Sequence, residues 1–207
     1  MQFCTRSSST AMVMAGVSLA LTAGLAHAQT LSSDALVSAL RQGGHVLVMR
    51  HATSPREAPD KQTANPDNTK LERQLDAAGR AGATAMGRAL RDLRIPIGQV
   101  FTSPTYRALE TVTFAQLANP TSVTELGDGG QSMQGVPEAQ AAWLRERAAQ
   151  VPQGGNTIIV THMPNISRAF PTWGAVADGE TIIARPDGKG GTTVVAKVKI
   201  EEWAGLR

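Results

Sequence analysis

The sequence predicts an α/β domain, a three-layer α/β/α sandwich around a mostly parallel central sheet that finishes in a C-terminal hairpin. Three observations predict it. Short runs of strand length alternate with amphipathic segments of helix length, the order that builds a parallel sheet. Two of the runs, Val46–Met49 and Asn156–Thr161, carry apolar residues at successive positions, as strands covered on both faces do. The last two runs, Thr181–Ala184 and Thr192–Val198, flank Pro186-Asp187-Gly188-Lys189-Gly190-Gly191, which has the chemistry of a hairpin turn.

Taken in order, residues 1–28 read as a leader. Arg6 gives a positive start, Ala11 to Leu25 is an apolar stretch, and Ala26-His27-Ala28 fits a small-x-small cleavage site. Cleavage there removes Cys4, the one cysteine, so the mature chain needs no disulfide chemistry in an oxidising compartment. No later stretch is apolar and long enough to span a bilayer. The expectation is an exported protein, periplasmic or secreted, with residues 29–207 forming a single domain and no stable membrane insertion after processing. At 207 residues, 42% hydrophobic and 18% charged, the chain can bury a proper core. A formal net charge of +3 and 4% aromatics, with none interleaved among basic residues, argue against nucleic acid as a partner.

Ser32-Ser33-Asp34 caps a first helix that points Leu36, Val37 and Leu40 inward, and Gly43-Gly44 ends it. The first strand follows and leads into Arg50-His51. Thr53 to Lys70 is polar and proline-containing, a long loop of the kind that walls a binding site. Asp76 caps a helix to about Leu93, with Ala81, Ala85, Met86, Ala89, Leu90 and Leu93 recurring at helical steps. Gln99–Thr102 is a strand, and Ser103-Pro104 opens a helix with serine as cap and proline at its first position. Thr121–Leu126 reads as a short strand, Gly127–Gly135 as a glycine-rich loop, and Pro137 starts a helix ending near Val151-Pro152. After the strand ending at Thr161, a short helix runs from Pro164 to Phe170.

Ligands bind at the carboxyl edge of open α/β sheets, and three features meet there. Arg50-His51 ends one strand, Thr161-His162 ends another, and Arg107 lies in the first turn of a helix whose free N–H groups favour an anion. Either histidine alone would more often cap a strand, and Arg107 alone would more often pair with Glu110 on the helix surface. Together they make a pocket for a phosphate dianion, because the arginine fork matches phosphate oxygens in pairs. A neutral imidazole held by its other nitrogen is a nucleophile toward phosphorus. Glu125 and Asp128 are the carboxylates placed to protonate a leaving oxygen, while the spacing of Glu110 suits a structural partner.

The segments Leu47-Val48-Met49-Arg50-His51, Ser103-Pro104-x-x-Arg107-Ala108-x-Glu110-Thr111, Val160-Thr161-His162 and Leu75-Asp76-Ala77-Ala78-Gly79-Arg80 together resemble the histidine phosphatase (phosphoglycerate mutase-like) superfamily. The resemblance implies an α/β/α fold in which His51 becomes transiently phosphorylated, with Arg50, Arg107 and His162 forming the phosphate pocket and Glu125 as acid/base. It implies no cofactor and no metal, and a small phosphorylated substrate. Two departures stand out. Ala52 occupies the place where the family most often has glycine, and Met163 follows His162 where the phytase branch has aspartate, which argues against phytase-like activity. The expected function is phosphomonoester hydrolysis through phosphohistidine. The alternatives are a phosphotransferase of the mutase kind, which export disfavours, and a phosphate-ester binding protein without turnover.

Overall fold

The computed structural model describes residues 1–2, 31–56, 73–128 and 136–207. Residues 3–28 of the segment read as a leader, and the greater part of the two loops read at 53–70 and 127–135, lie outside the described residues. Among the described residues five helices, α1 (Ser33–Gln42), α2 (Ala77–Asp92), α3 (Tyr106–Phe114), α4 (Glu138–Ala149) and α5 (Met163–Ala169), pack on a sheet of six strands. The strands are β1 (Val46–Arg50), β2 (Ile97–Thr102), β3 (Thr121–Ser122), β4 (Asn156–Thr161), β5 (Thr181–Pro186) and β6 (Thr192–Val198), in spatial order β3-β2-β4-β1-β5-β6. The pairs β3-β2, β2-β4 and β4-β1 are parallel, and β5 and β6 add antiparallel on the other side of β1.

The central strands bury both faces, as their apolar runs require. Leu47 and Met49 of β1 face a core built with Leu36 and Leu40 of α1, Met86 and Leu90 of α2, Val112 of α3 and Trp203 near the C-terminus. Val46 and Val48 face a second core with Ala141 and Leu144 of α4 and Ile166 of α5. Helices therefore cover both sides of the sheet, giving the three layers. Among the described residues no helix is long and apolar enough to cross a membrane.

Three elements depart from the sequence reading. The inward face of α2 is only partly the one expected: Met86, Ala89 and Leu90 are buried and Leu93 packs against the core, but Ala81 and Ala85 are exposed, and Gly79, Ala83 and Gly87 are buried as well. Glycine rather than alanine marks the contact, because backbone comes too close for a side chain. A Cβ on Gly79 would stand 2.2 Å from the Thr53 carbonyl oxygen, and one on Gly87 would stand 1.9 Å from that of Ala115. Thr105, not Ser103, is the residue before α3, and Pro104 precedes the helix instead of opening it. The strand expected over 121–126 stops at Ser122, and Thr124–Leu126 forms a single 3-10 turn.

The glycine contact sets opposing effects against each other. Gly87→Ala gains up to about 1 kcal/mol of helix propensity but drives a methyl into backbone that cannot rotate away, a strain of roughly 1–3 kcal/mol. Net destabilisation is expected, read as a lower urea midpoint. Gly82→Ala is the control, since its added Cβ would meet only the Ile200 side chain, at 3.1 Å.

Candidate active site

Register brings the two histidines together. Arg50 pairs with Thr161 across the parallel β1-β4 ladder, and the His51 amide donates to the Thr161 carbonyl at 2.9 Å. On the other side of β4, the Ser103 amide continues the ladder to Val160 at 2.9 Å. Three adjacent strands thus deliver Ser103, His162 and His51 side by side at the carboxyl edge. The imidazole centroids lie 5.2 Å apart.

Arg107 binds both rings. It is fully buried, its Nε donates to His51 Nε2 at 3.2 Å, and its Nη2 donates to His162 Nδ1 at 3.3 Å. The same Nη2 forms an ion pair with Asp128. These partners fix the tautomers. His51 Nδ1–H donates to the Ala52 carbonyl at 2.8 Å, leaving Nε2 with its lone pair. His162 accepts at Nδ1, so its Nε2–H points to Ser103 Oγ at 2.9 Å and Thr105 Oγ1 at 3.1 Å. Ser103 Oγ also accepts the Thr105 amide at 3.2 Å. The serine that looked like a helix cap orients a histidine instead.

Burial holds both rings neutral. His51 is pushed well below the usual imidazole value by desolvation first, then by His162 and Arg107. His162 is lowered for the same first reason, with Arg107, Arg73 and Arg50 adding repulsion. Arg50 sits at the rim of this group. Its Nη1 donates to the Val176 carbonyl at 2.9 Å, and its Nη2 pairs with Asp178, so the segment ahead of β5 holds the guanidinium in place.

The backbone around the site is tied from several directions. Thr111 Oγ1 accepts the Ala52 amide at 3.0 Å and donates to the Arg107 carbonyl at 2.8 Å, locking α3 to the chain just past His51. The Ala52 methyl is buried in a small cluster with Leu75 and Ala83. Glu110 is structural, as its spacing indicated, but Arg107 is not its partner: it accepts the Leu75 amide at 2.5 Å and pairs with Arg80 at 3.3 Å.

The two carboxylates read as acids are placed differently. The Asp128 side chain reaches Arg107, whereas the Glu125 carboxylate accepts from Thr124 Oγ1 at 3.1 Å in an exposed position. Neither His51, His162 nor Arg107 is a hydrogen-bond or ion-pair partner of Glu125. The turn bearing both is clamped from behind. Thr161 Oγ1 donates to the Leu126 carbonyl at 2.8 Å, and Asn165 Nδ2 donates to the carbonyls of Glu125 at 3.2 Å and Gly127 at 2.8 Å. With three successive carbonyls taken by side chains, the segment curls into a 3-10 turn rather than extending β3. Asn165, inside α5, thereby serves to hold this turn. Ser103, Thr105, Thr161 and Asp178 are further participants, and ordinary polar residues at strand ends carry no sequence mark that would have singled them out.

Among the described residues no group of three His, Cys, Asp or Glu side chains stands close enough together to hold a metal ion. The arrangement is a buried, cationic pocket containing a neutral imidazole whose Nε2 lone pair accepts from Arg107 Nε.

No protein-family model matches the sequence, and no curated protein matches it. Solved structures do match. The protein histidine phosphatase SixA, complexed with tungstate, is 16% identical and aligns over 76% of this chain and 98% of its own with a TM-score of 0.57. The product of open reading frame Rv3214 from Mycobacterium tuberculosis is 18% identical over 72% of this chain and 94% of its own, with a TM-score of 0.53. A mutant phosphoserine phosphatase from Entamoeba histolytica, in complex with phosphoserine, is 11% identical over 76% of this chain and 98% of its own, also with a TM-score of 0.53. The chain has the histidine phosphatase fold, the fold that its motifs resembled.

Proposed function

We propose that this protein is a phosphomonoesterase that works through a phosphohistidine on His51. The observation that carries the proposal is the His51 tautomer: Nδ1–H is spent on the Ala52 carbonyl, and the unprotonated Nε2 accepts from Arg107 Nε, whose Nη2 also reaches His162. In the proposed reaction Arg107 Nε turns from His51 Nε2 to a phosphoryl oxygen, the freed Nε2 lone pair attacks phosphorus, and the bond to the ester oxygen breaks. Arg50, Arg107 and His162 hold the remaining phosphoryl oxygens, where fixed donors in a dry site stabilise the transition state most. Of the two carboxylates on the 124–128 turn, Asp128 touches Arg107, and we assign it, ahead of Glu125, to take up a proton once the phosphate dianion occupies Arg107 and to pass that proton to the leaving oxygen. The same group then takes a proton from the water that cleaves the N–P bond, returning neutral His51 and free phosphate. The phosphatase names of the structural neighbours support this reading.

We also propose that the chain is exported. The support is the pattern of residues 1–28, and it predicts a protein beginning at Gln29 when isolated from outside the cytoplasm.

Turnover of p-nitrophenyl phosphate by the mature protein in EDTA tests the activity. Rapid quenching should trap phosphate on the enzyme in a linkage that is acid-labile and alkali-stable, and His51→Asn should abolish both label and turnover. An inactive wild type that still binds phosphate would instead mark a binding protein. Transfer of the label to a second ester rather than to water would mark a mutase.

A further inference from the structure

We propose that Asp178 competes with the phosphate dianion for Arg50, so that substrate and product phosphate are held less tightly than the arginines of the pocket would otherwise hold them. The inference rests on the phosphatase reading and adds to it the group that sets how firmly the anion binds. It starts from charge already matched within the site. Arg50 pairs with Asp178 and Arg107 with Asp128, while burial keeps both imidazoles uncharged. A dianion entering beside two such pairs gains the guanidinium groups only by drawing them from carboxylates that then repel it.

The two carboxylates are not equivalent. Asp128 is assigned the proton chemistry, whereas Asp178 has no step in the reaction. Backbone fixes its place. The Gly179 amide donates to the His51 carbonyl at 2.9 Å, and the Arg50 amide donates to the Glu180 carbonyl at 3.1 Å. The Glu180 carboxylate accepts the Ala177 amide at 2.8 Å. Gly179 turns the chain at a φ of +74°, where a Cβ would stand 2.9 Å from the Ile200 side chain. The turn is thus fastened to the end of β1 and holds a partly buried carboxylate beside a partly buried guanidinium, 20% and 19% exposed. Arg50 itself keeps a donor in reserve. Its Nη1 is held by the carbonyl of buried Val176 at 2.9 Å, while its Nε is buried and has no hydrogen-bond partner among the described residues. Nε and Nη2 form the edge on which a guanidinium grips two oxygens of one anion, and Asp178 sits on the Nη2 half of that edge. Removing its charge therefore frees the fork, and the Val176 carbonyl keeps the fork aimed. A weaker hold on phosphate has a use, because hydrolysis leaves free phosphate in the pocket and it must depart before the next turnover.

Calorimetric titration with inorganic phosphate in EDTA tests this without requiring turnover. Asp178→Asn should bind phosphate at least about fivefold more tightly than the wild type, the effect of removing one charge beside a dianion. In p-nitrophenyl phosphate hydrolysis, product inhibition by phosphate should strengthen by a similar factor. Asp178→Asn should bring no gain when added to Arg50→Gln, and Glu146→Gln, an equal loss of charge at an exposed position of α4, should bring none either. Asp178→Ser carries the same expectation should Asp178→Asn not fold. Affinity equal to or below that of the wild type, in a variant that keeps its thermal midpoint, overturns the proposal and leaves Asp178 as a positioning residue for Arg50. Turnover of p-nitrophenyl phosphate by that variant would show that the phosphatase reading survives. Phosphate binding by neither wild type nor variant defeats that reading and the inference with it.

Discussion

Arg107→Ala is expected to lower kcat/KM for p-nitrophenyl phosphate by roughly a thousandfold or more, the largest effect of any single change outside His51. Removing one preorganised donor from a transition state typically costs a factor of about 100 to 1,000, and this side chain supplies more than one. Its Nε and Nη2 bond both imidazoles, and Nη2 also holds Asp128. Alanine leaves the two rings without a shared donor and the carboxylate without its cation. Lysine should rescue little, because a single ammonium on a flexible stem cannot reproduce a planar fork aimed at three partners. The thermal midpoint is a necessary companion measurement. A variant that folds normally and has lost both turnover and phosphate binding supports the assignment. One that retains more than a tenth of wild-type kcat/KM refutes a central role for Arg107.

The bounds of β4 and β6 follow directly from their β-branched runs and flanking glycines, and β1 from the run that ends in Arg50. Parallel pairing of β1 with β4 then places His51 beside His162 without further information, since each ends its strand at the same register. The chemistry of Ser103 was hidden because a hydroxyl ahead of a helix can accept from an amide or serve a distant ring, and only tertiary packing chooses. Here Ser103 Oγ does both. Periodicity finds Met86, Ala89 and Leu90 on the buried face of α2 but not Gly79 or Gly87, because it weighs apolar side chains and part of this face depends on side chains that are missing. Gly79 and Gly87 matter through the backbone they admit, and no hydrophobicity pattern reports that. The 124–126 turn was mistaken for a strand for a related reason: its shape is imposed by Thr161 and Asn165, residues remote in sequence that compete for its carbonyls. The grip of Asp178 on Arg50 is likewise a contact between distant segments, with neither partner carrying a local signature.

Acidification from pH 7.5 to 5.5 should destabilise the protein by about 2–3 kcal/mol, measured as the difference in urea-unfolding free energy. The effect arises from His51 and His162, both held well below their ordinary value of about 6.5 by burial and by neighbouring cations. The unfolded chain, with ordinary imidazoles, takes up two protons as the pH falls through that value, and the native pocket does not. Stability rises with pH wherever the unfolded state binds more protons, so it must fall on acidification. The loss begins near pH 6.5 and continues, at up to about 1.4 kcal/mol per pH unit for each ring, until the depressed native values are reached. His45, lowered chiefly by burial at the other end of β1, adds in the same direction. Surface carboxylates such as Glu138 and Asp187, whose native values are depressed, lose their contribution only at more acid pH. A bound dianion reverses the electrostatics of the pocket by favouring the imidazolium form. Saturating orthophosphate should therefore narrow the difference between the two pH values, and Arg107→Ala should narrow it too by removing a charge that repels both protons. The same depression keeps His51 nucleophilic in mildly acidic surroundings, so kcat/KM should hold its value at pH 6 and fall only lower. An unfolding free energy that is flat between pH 7.5 and 5.5 would show that the two imidazoles are not kept neutral in the native protein, and with that the proposed nucleophile would lose its physical basis.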